Sequence, residues 1–280
     1  MTSPPTSPVL IVNPRSGGGT ATRVDLPEQC HARGIEPIVF RPGDDLTLLA
    51  TAAIRGGADA LGMAGGDGSQ AAVAAVAADH DVPYVCVPAG TRNHFAADLG
   101  LDRNDVVGAL DAFFDGSERR IDLARVNGRV FVNNVAMGVY GAVVESPAYR
   151  DHKVRTVIDK LPDLIGPRAE PFDLRFTGHG GSVHETAELV LVSNNRYVID
   201  PRPQRGTRGE LDGGVLGVVA VTGPPPHGLA EWSTPSFRVD SATTVAVGID
   251  GESVAIEPPL LFESDPRALR IRTPRRRRPR

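Results

Sequence analysis

The sequence predicts an α/β chain in two parts, a parallel-sheet first half and a mainly antiparallel, β-rich second half. Three observations carry that expectation. Up to about residue 116, short apolar runs alternate strictly with helical segments. Three of those runs lead directly into polar loops that contain glycine. From about residue 117 the texture changes to short β-rich runs separated by Gly, Pro and Asp.

The elements follow in order. Val9-Leu10-Ile11-Val12 opens a strand over 9–13, and a helix is expected over 20–33. A strand at 36–40, a helix at 45–55, a strand at 59–64, a helix at 69–79 and a strand at 83–87 continue the alternation, with helices near 93–99 and 103–115 closing it. Such alternation implies right-handed βαβ crossovers and a Rossmann-like parallel sheet with helices on both faces. Beyond it, Val126-Asn127-Gly128-Arg129-Val130-Phe131 reads as a hairpin, and 171–177, 186–193, 214–222, 236–240 and 243–249 read as short strands. Segment 148–165 is more helical, and 199–212, rich in Pro, Arg and Gly, reads as a long loop. Periodicity alone does not choose between sandwich and barrel for this half.

Leu61-Gly62-Met63-Ala64-Gly65-Gly66-Asp67-Gly68-Ser69 is the most informative stretch. Read as strand, turn and helix start, it aims backbone N–H groups and a helix N-terminus at one spot, which suits a phosphate chain. Glycine permits close approach of the backbone, and Asp67 stands where it could meet a magnesium ion or a hydroxyl group. An ordinary βα turn with Ser69 or Asp67 as helix N-cap would use the same residues. Two other loops, Asn13-Pro14-Arg15-Ser16-Gly17-Gly18-Gly19 and Pro88-Ala89-Gly90-Thr91-Arg92-Asn93-His94, also follow strands. In a parallel sheet such loops share one edge, where ligands normally bind.

Composition narrows the function. At 280 residues the chain is long enough for two modest domains. No apolar run approaches the roughly 20 residues that span a bilayer, and Met1-Thr2-Ser3-Pro4-Pro5 lacks the regions of a signal peptide, so a soluble, cytoplasmic protein is expected. Cys30 and Cys86 are too few for a disulfide framework or a zinc site. Basic residues are almost all arginine, Lys153 and Lys160 being the only lysines, and no GxxxxGK[ST] motif exists. Phosphate charge must then be met by backbone N–H groups, metal and arginine, with Arg15 as the candidate side chain. The tail Arg275-Arg276-Arg277-Arg278-Pro279-Arg280 reads either as a solvated, disordered end or as an attraction to anionic lipid. No basic stripe with interleaved aromatics suggests nucleic-acid binding.

The loops Asn13-Pro14-Arg15-Ser16-Gly17, Gly65-Gly66-Asp67-Gly68-Ser69 and Pro88-Ala89-Gly90-Thr91-Arg92-Asn93, in this order and spacing, resemble the catalytic domain of the diacylglycerol kinase and sphingosine kinase superfamily, in particular its compact bacterial lipid kinases. The resemblance continues in Ile121-Asp122-Leu123, Asn127-Gly128, Phe131 to Gly138, Leu211-Asp212-Gly213-Gly214 and Asp250-Gly251-Glu252, spanning about residues 9–272. It implies a nucleotide-binding domain over 8–120 of NAD kinase/diacylglycerol kinase type, to which 262–273 returns. It also implies a β-sandwich lipid domain over 121–261 and a basic tail at 274–280. Substrate and ATP would meet in the cleft between the domains, and family members often dimerise.

The resemblance implies site residues as well. Asn13, Ser16 and Gly17 would contact the nucleotide; Gly65, Gly66, Asp67, Gly68 and Ser69 would hold its phosphates; and Thr91 and Asn93 would add hydrogen bonds. Glu252 would take the proton of the acceptor hydroxyl, and Asp67 would share the catalytic work. Asp212 with the carbonyls of Gly209 and Gly214 would hold Mg2+, and a second magnesium would travel with ATP near Asp67 and Asp122. The acceptor would be diacylglycerol or a related lipid alcohol, taken from the inner membrane face by a peripheral protein.

Departures leave alternatives open. The family usually reads Gly-Thr-Gly-Asn-Asp-Phe where this chain has Gly90-Thr91-Arg92-Asn93-His94-Phe95, and Leu216-Gly217-Val218 lacks a second acid often present there. A catalytically weakened nucleotide- or lipid-binding regulator, or a small-molecule kinase like NAD kinase, are the other readings.

Overall fold

The structure is a computed structural model that describes residues 3–139, 171–197, 208–223 and 228–275. The expected helix at 148–165, most of the loop at 199–212 and residues 276–280 of the tail lie outside the described residues. The described chain divides into two compact units, one running to Leu123 and resuming at Pro266, the other lying between Ala124 and Asp265.

In the first unit, β1 (Pro8–Val12), β2 (Glu36–Val39), β3 (Ala60–Gly65) and β4 (Tyr84–Pro88) form a parallel sheet in the order β2-β1-β3-β4. β1, β3 and β4 are buried along their whole length, which is why each reads as a continuous apolar run. The chain leaves β1 for β2 on one side and then crosses to β3 on the other. The strand order therefore reverses between β1 and β3, the position where open α/β sheets bind ligands. Helix α3 (Leu46–Arg55) starts at Asp45, whose carboxylate accepts the N–H groups of Thr47 and Leu48, and it packs on α4 (Asp67–Asp79).

Two expected helices are different in the structure. The segment 20–33 is broken into α1 (Thr20–Arg23) and α2 (Leu26–His31) at Asp25, which is left-handed at φ 46°. Pro27 falls in the first turn of the new helix, where its missing N–H does no harm. The segment 103–115 contains only a 3-10 turn at Gly108–Phe113, because Asp102 and Asp105 bind the N–H groups of Asn104 and Gly108 and compete with helical hydrogen bonding. The expected helix near 93–99 is present as α5 (His94–Asp98).

β5 (Gly116–Val126) and β16 (Leu260–Pro274) each begin in one unit and end in the other. In the first unit β16 lies between β4 and β5, parallel to β4 with Ile271 opposite Tyr84. Arg272 is 2% exposed there; its Nε donates to the Ala112 carbonyl at 3.0 Å and its guanidinium lies 3.5 Å from Glu118. Glu118 keeps Arg270 as a second partner, so Arg272→Ala is expected to sit at the low end for a broken buried pair, about 3 kcal/mol, measured by urea denaturation. Arg275, first residue of the basic tail, is tied back to Asp115 through its backbone N–H and its side chain.

The second unit holds an antiparallel sheet in the order β12 (Leu229–Thr234), β11 (Leu216–Val221), β10 (Leu189–Asn194), β7 (Asn134–Gly138), β14 (Val245–Ile249), β15 (Glu252–Ile256). β6 (Arg129–Phe131) pairs with the end of β5, and β13 (Ser236–Val239) pairs with the start of β16. Phe131, Phe237, Val239 and Phe262 from this second layer share one core with Val135, Met137, Val190 and Val192 of the sheet. Ala136, Leu189, Leu191 and Val219 line the opposite face, as period-two alternation requires. The Asn127-Gly128 hairpin is present, with φ of 47° and 81°. Only Phe176–Thr177 of the expected strand at 171–177 forms a strand, β8, paired with β9 (Val183–His184).

Candidate active site

Three loops of the first unit come together at the C-terminal ends of β1, β3 and β4. In the first, Asn13 Oδ1 accepts the Arg15 N–H at 3.1 Å, and Gly17, Gly18 and Gly19 follow with φ of 58°, 66° and 86°. The Arg23 guanidinium braces the turn by donating to the Gly18 carbonyl at 2.6 Å, and successive left-handed glycines make a backbone shape that suits an anion.

The second loop ends at Gly66, the N-cap of α4, which has no side-chain cap. Neither Ser69 nor Asp67 caps this helix, so the ordinary N-cap reading of the motif fails. The first N–H groups of a 13-residue helix are left for a ligand. Asp67 instead reaches across, accepting the N–H groups of His94 at 3.0 Å and Phe95 at 3.2 Å, and so caps α5.

The third loop is closed by Asn93, 6% exposed and left-handed at φ 51°. Its Oδ1 accepts the Gly90 N–H at 2.9 Å, and its Nδ2 donates to the carbonyls of Pro88, Gly90 and Arg103. Asn93 was expected to touch the nucleotide. Its amide is engaged on both sides within the loop, so it holds the loop in shape.

Glycine is what lets the loops meet. A Cβ on Gly17 would lie 2.5 Å from the Ala89 carbonyl oxygen, and one on Gly90 would lie 2.4 Å from Gly66 Cα. The third loop therefore packs against both others at distances that no side chain permits. His94 is largely enclosed: burial pushes its pKa below the usual histidine value, Asp67 opposes that shift, and Arg92 reinforces it.

The structure gathers Asn13, Ser16, Gly17, Gly65, Gly66, Asp67, Gly68 and Ser69 around this edge, with Arg15 and Thr91 on exposed loop positions. Asp122 is fully buried and accepts the Arg267 N–H at 2.7 Å, where Arg267 stands in β16 at φ 56°.

In the second unit, Asp250 and Gly251 form the turn from β14 to β15, with φ of 48° and 89°, and Glu252 is the first residue of β15. The Asp250 carboxylate accepts the N–H groups of Val132 at 2.9 Å, Asn133 at 2.8 Å and Asn134 at 3.2 Å. The Glu252 side chain is more than half exposed, with Arg129 at 3.5 Å. Sequence reasoning assigned no role to Asp250, although a carboxylate beside a left-handed turn is a ready acceptor for a neighbouring run of N–H groups. Asp250→Ala is expected to leave those donors without their acceptor and to destabilise the protein by about 1–3 kcal/mol in denaturant titration.

Asp212 and Gly209 are exposed, and just after Asp212 the chain is held by Asn195 Oδ1, which accepts the Gly213 N–H at 3.0 Å. Arg208, also missed from sequence, is 6% exposed and donates to the carbonyls of Val132 and Asn194 and to Asn133 Oδ1. Among the described residues no group of three or more His, Cys, Asp or Glu converges as a metal site would.

Residues 7–126, which carry all three loops, match the model of the diacylglycerol kinase catalytic domain. Curated proteins similar to the chain are named diacylglycerol kinase. One from Mycobacterium tuberculosis (strain H37Rv) is 32% identical over 180 residues, covering 60% of this chain and 58% of the relative. One from Staphylococcus aureus (strain Newman) is 32% identical over 168 residues, covering 57% of this chain and 49% of the relative. The match thus spans less than two thirds of either relative's length. The crystal structure of a diacylglycerol kinase from Bacillus anthracis str. Sterne superposes with a TM-score of 0.70 over 96% of this chain and 97% of that one, at 20% identity, and has the same fold.

Proposed function

We propose that the protein is an ATP- and magnesium-dependent lipid kinase that phosphorylates the hydroxyl of diacylglycerol or a related lipid alcohol. The observation that carries this reading is the uncapped N-terminus of α4, against which the third loop packs at Gly90 while the first loop packs against the third at Gly17. Such a cradle fits a phosphate chain. Bound ATP supplies the phosphoryl group, and the chain's own residues align it. Backbone N–H groups of the first two loops meet the phosphate oxygens, and Arg15 reaches them from its exposed loop position.

Magnesium suits this donor set in a limited way. Mg2+ usually binds one or two carboxylates and otherwise the substrate's phosphates and water, and Asp67 keeps lone pairs beyond those taken by His94 and Phe95. Asp212 with the carbonyls of Gly209 and Gly214 is the proposed second holder. Glu252 receives the proton of the acceptor hydroxyl as the bond to phosphorus forms, when that proton becomes acidic. Among the described residues no helix is long and apolar enough to cross a membrane, so the lipid would be met at a membrane surface.

The test is transfer of radiolabelled phosphate from ATP, with magnesium, to micellar diacylglycerol, monoacylglycerol, sphingosine, ceramide and phosphatidylglycerol, with NAD as a soluble acceptor. A labelled lipid is the expected result and names the acceptor. Label on NAD alone would make it a small-molecule kinase. ATP binding with no labelled product would favour a regulator whose third loop, with Arg92 and His94, has lost transfer.

A further inference from the structure

Gln70 lies one turn into α4 and is 1% exposed. Its Nε2 donates to the carbonyl oxygens of Met63 at 2.9 Å, Val87 at 3.0 Å and Gly65 at 3.3 Å. Its Oε1 accepts the hydroxyl of Tyr84, which is itself fully buried. Three carbonyls can only accept, so the amide must turn its NH2 toward them and its oxygen toward the tyrosine. Burial pushes the Tyr84 phenol well above its ordinary pKa, so the hydroxyl keeps the proton it donates.

We propose that Gln70 is the positioning residue of the phosphate cradle. One side-chain amide grips the last carbonyls of β3 and β4, the two strands from which the second and third loops depart. A trans peptide is planar, with its C=O and N–H pointing in opposite directions. Drawing the Gly65 carbonyl inward to Gln70 therefore turns the Gly66 N–H outward, on the side where Gly90 packs. Holding the Val87 carbonyl likewise sets the departure of Pro88-Ala89-Gly90; the same oxygen also takes the Ala89 N–H at 2.9 Å. Helix, strand ends and loops are thus indexed to one another through a single carboxamide. The inference deepens the proposed function and rests on the reading of these loops as the nucleotide site.

Three variants separate positioning from mere support of the fold: Gln70→Met, which keeps the length of the side chain and removes its polar end, Tyr84→Phe, and the pair together. MgATP affinity is read by calorimetry, stability by thermal melting, and loop geometry by the amide resonances of 15N-glycine-labelled protein. Gln70→Met is expected to weaken MgATP binding about tenfold and to shift the resonances of Gly65, Gly66 and Gly90. Tyr84→Phe is expected to lower the melting temperature while leaving affinity and those resonances near wild type. The double variant is expected to recover stability relative to Gln70→Met, since both partners are then apolar, without recovering affinity. If Gln70→Met melts earlier but binds MgATP normally with unmoved glycine resonances, the residue only supports the fold and the proposal is overturned. If the wild-type protein binds no MgATP, the nucleotide reading fails, and the glycine resonances alone decide: shifted, they keep Gln70 as the organiser of the loops; unshifted, they sink that role too.

Discussion

Replacing Glu252 with glutamine is expected to leave MgATP binding intact and to slow lipid phosphorylation by about two orders of magnitude or more, as loss of a general base does. The exchange keeps the size and shape of the side chain and removes its capacity to accept a proton. The turn before Glu252 is held by its neighbour Asp250. Three backbone N–H groups hold the Asp250 carboxylate, so the turn that presents Glu252 is fixed before any substrate arrives. The Glu252 side chain is more than half exposed and its ion pair with Arg129 is long, so the fold gains little from it. A fall in rate would therefore report chemistry and not unfolding. Calorimetry for MgATP together with the radiolabel assay checks both halves; a near-normal rate would remove Glu252 from the mechanism.

Gly90→Ala should be the most damaging single-atom change in the nucleotide loops. The added methyl would sit 2.4 Å from Gly66 Cα and 2.9 Å from Gly66 N, and backbone cannot move aside as a flexible side chain can. Overpacking of this kind costs about 1–3 kcal/mol, and here the strain falls on the contact that closes the cradle. MgATP affinity is expected to fall at least tenfold, beyond any loss of melting temperature. Gly18→Ala is the matched control. Its Cβ would meet nothing within 4 Å, so only the cost of a left-handed alanine at φ 66° remains, about 1–2 kcal/mol. Equal effects of the two substitutions on nucleotide binding would mean that the loop contact at Gly90 is not what shapes the site.

The first unit was more legible in the sequence than the second, for physical reasons. Central parallel strands are buried on both faces, so β1, β3 and β4 appear as unbroken apolar runs, and their loops stand out by contrast. The second unit hides its strands. β12, Leu-Ala-Glu-Trp-Ser-Thr, is a half-exposed edge strand with little apolar signal. β16 carries Ser-Asp-Pro-Arg in its middle, which reads as a turn, whereas in the structure a bulge at Arg267, pinned by Asp122, lets the strand run through. In the candidate site, the loop glycines could be picked out by motif. The work of Asn93, Asp122, Asp250 and Gln70 could not, because a polar residue that binds a ligand and one that binds distant backbone look the same until the chain is folded.

The insertion of β16 beside β4 has a consequence for how the protein is made. Tyr84 acquires its Ile271 partner only after nearly all of the intervening second unit has left the ribosome. Until then the sheet of the first unit carries an open, apolar edge along β4, the kind of surface that invites pairing with another nascent chain. Contacts so distant in sequence also form slowly. Biosynthesis thus imposes an order in which the sheet of the first unit is closed only once β16 has been made.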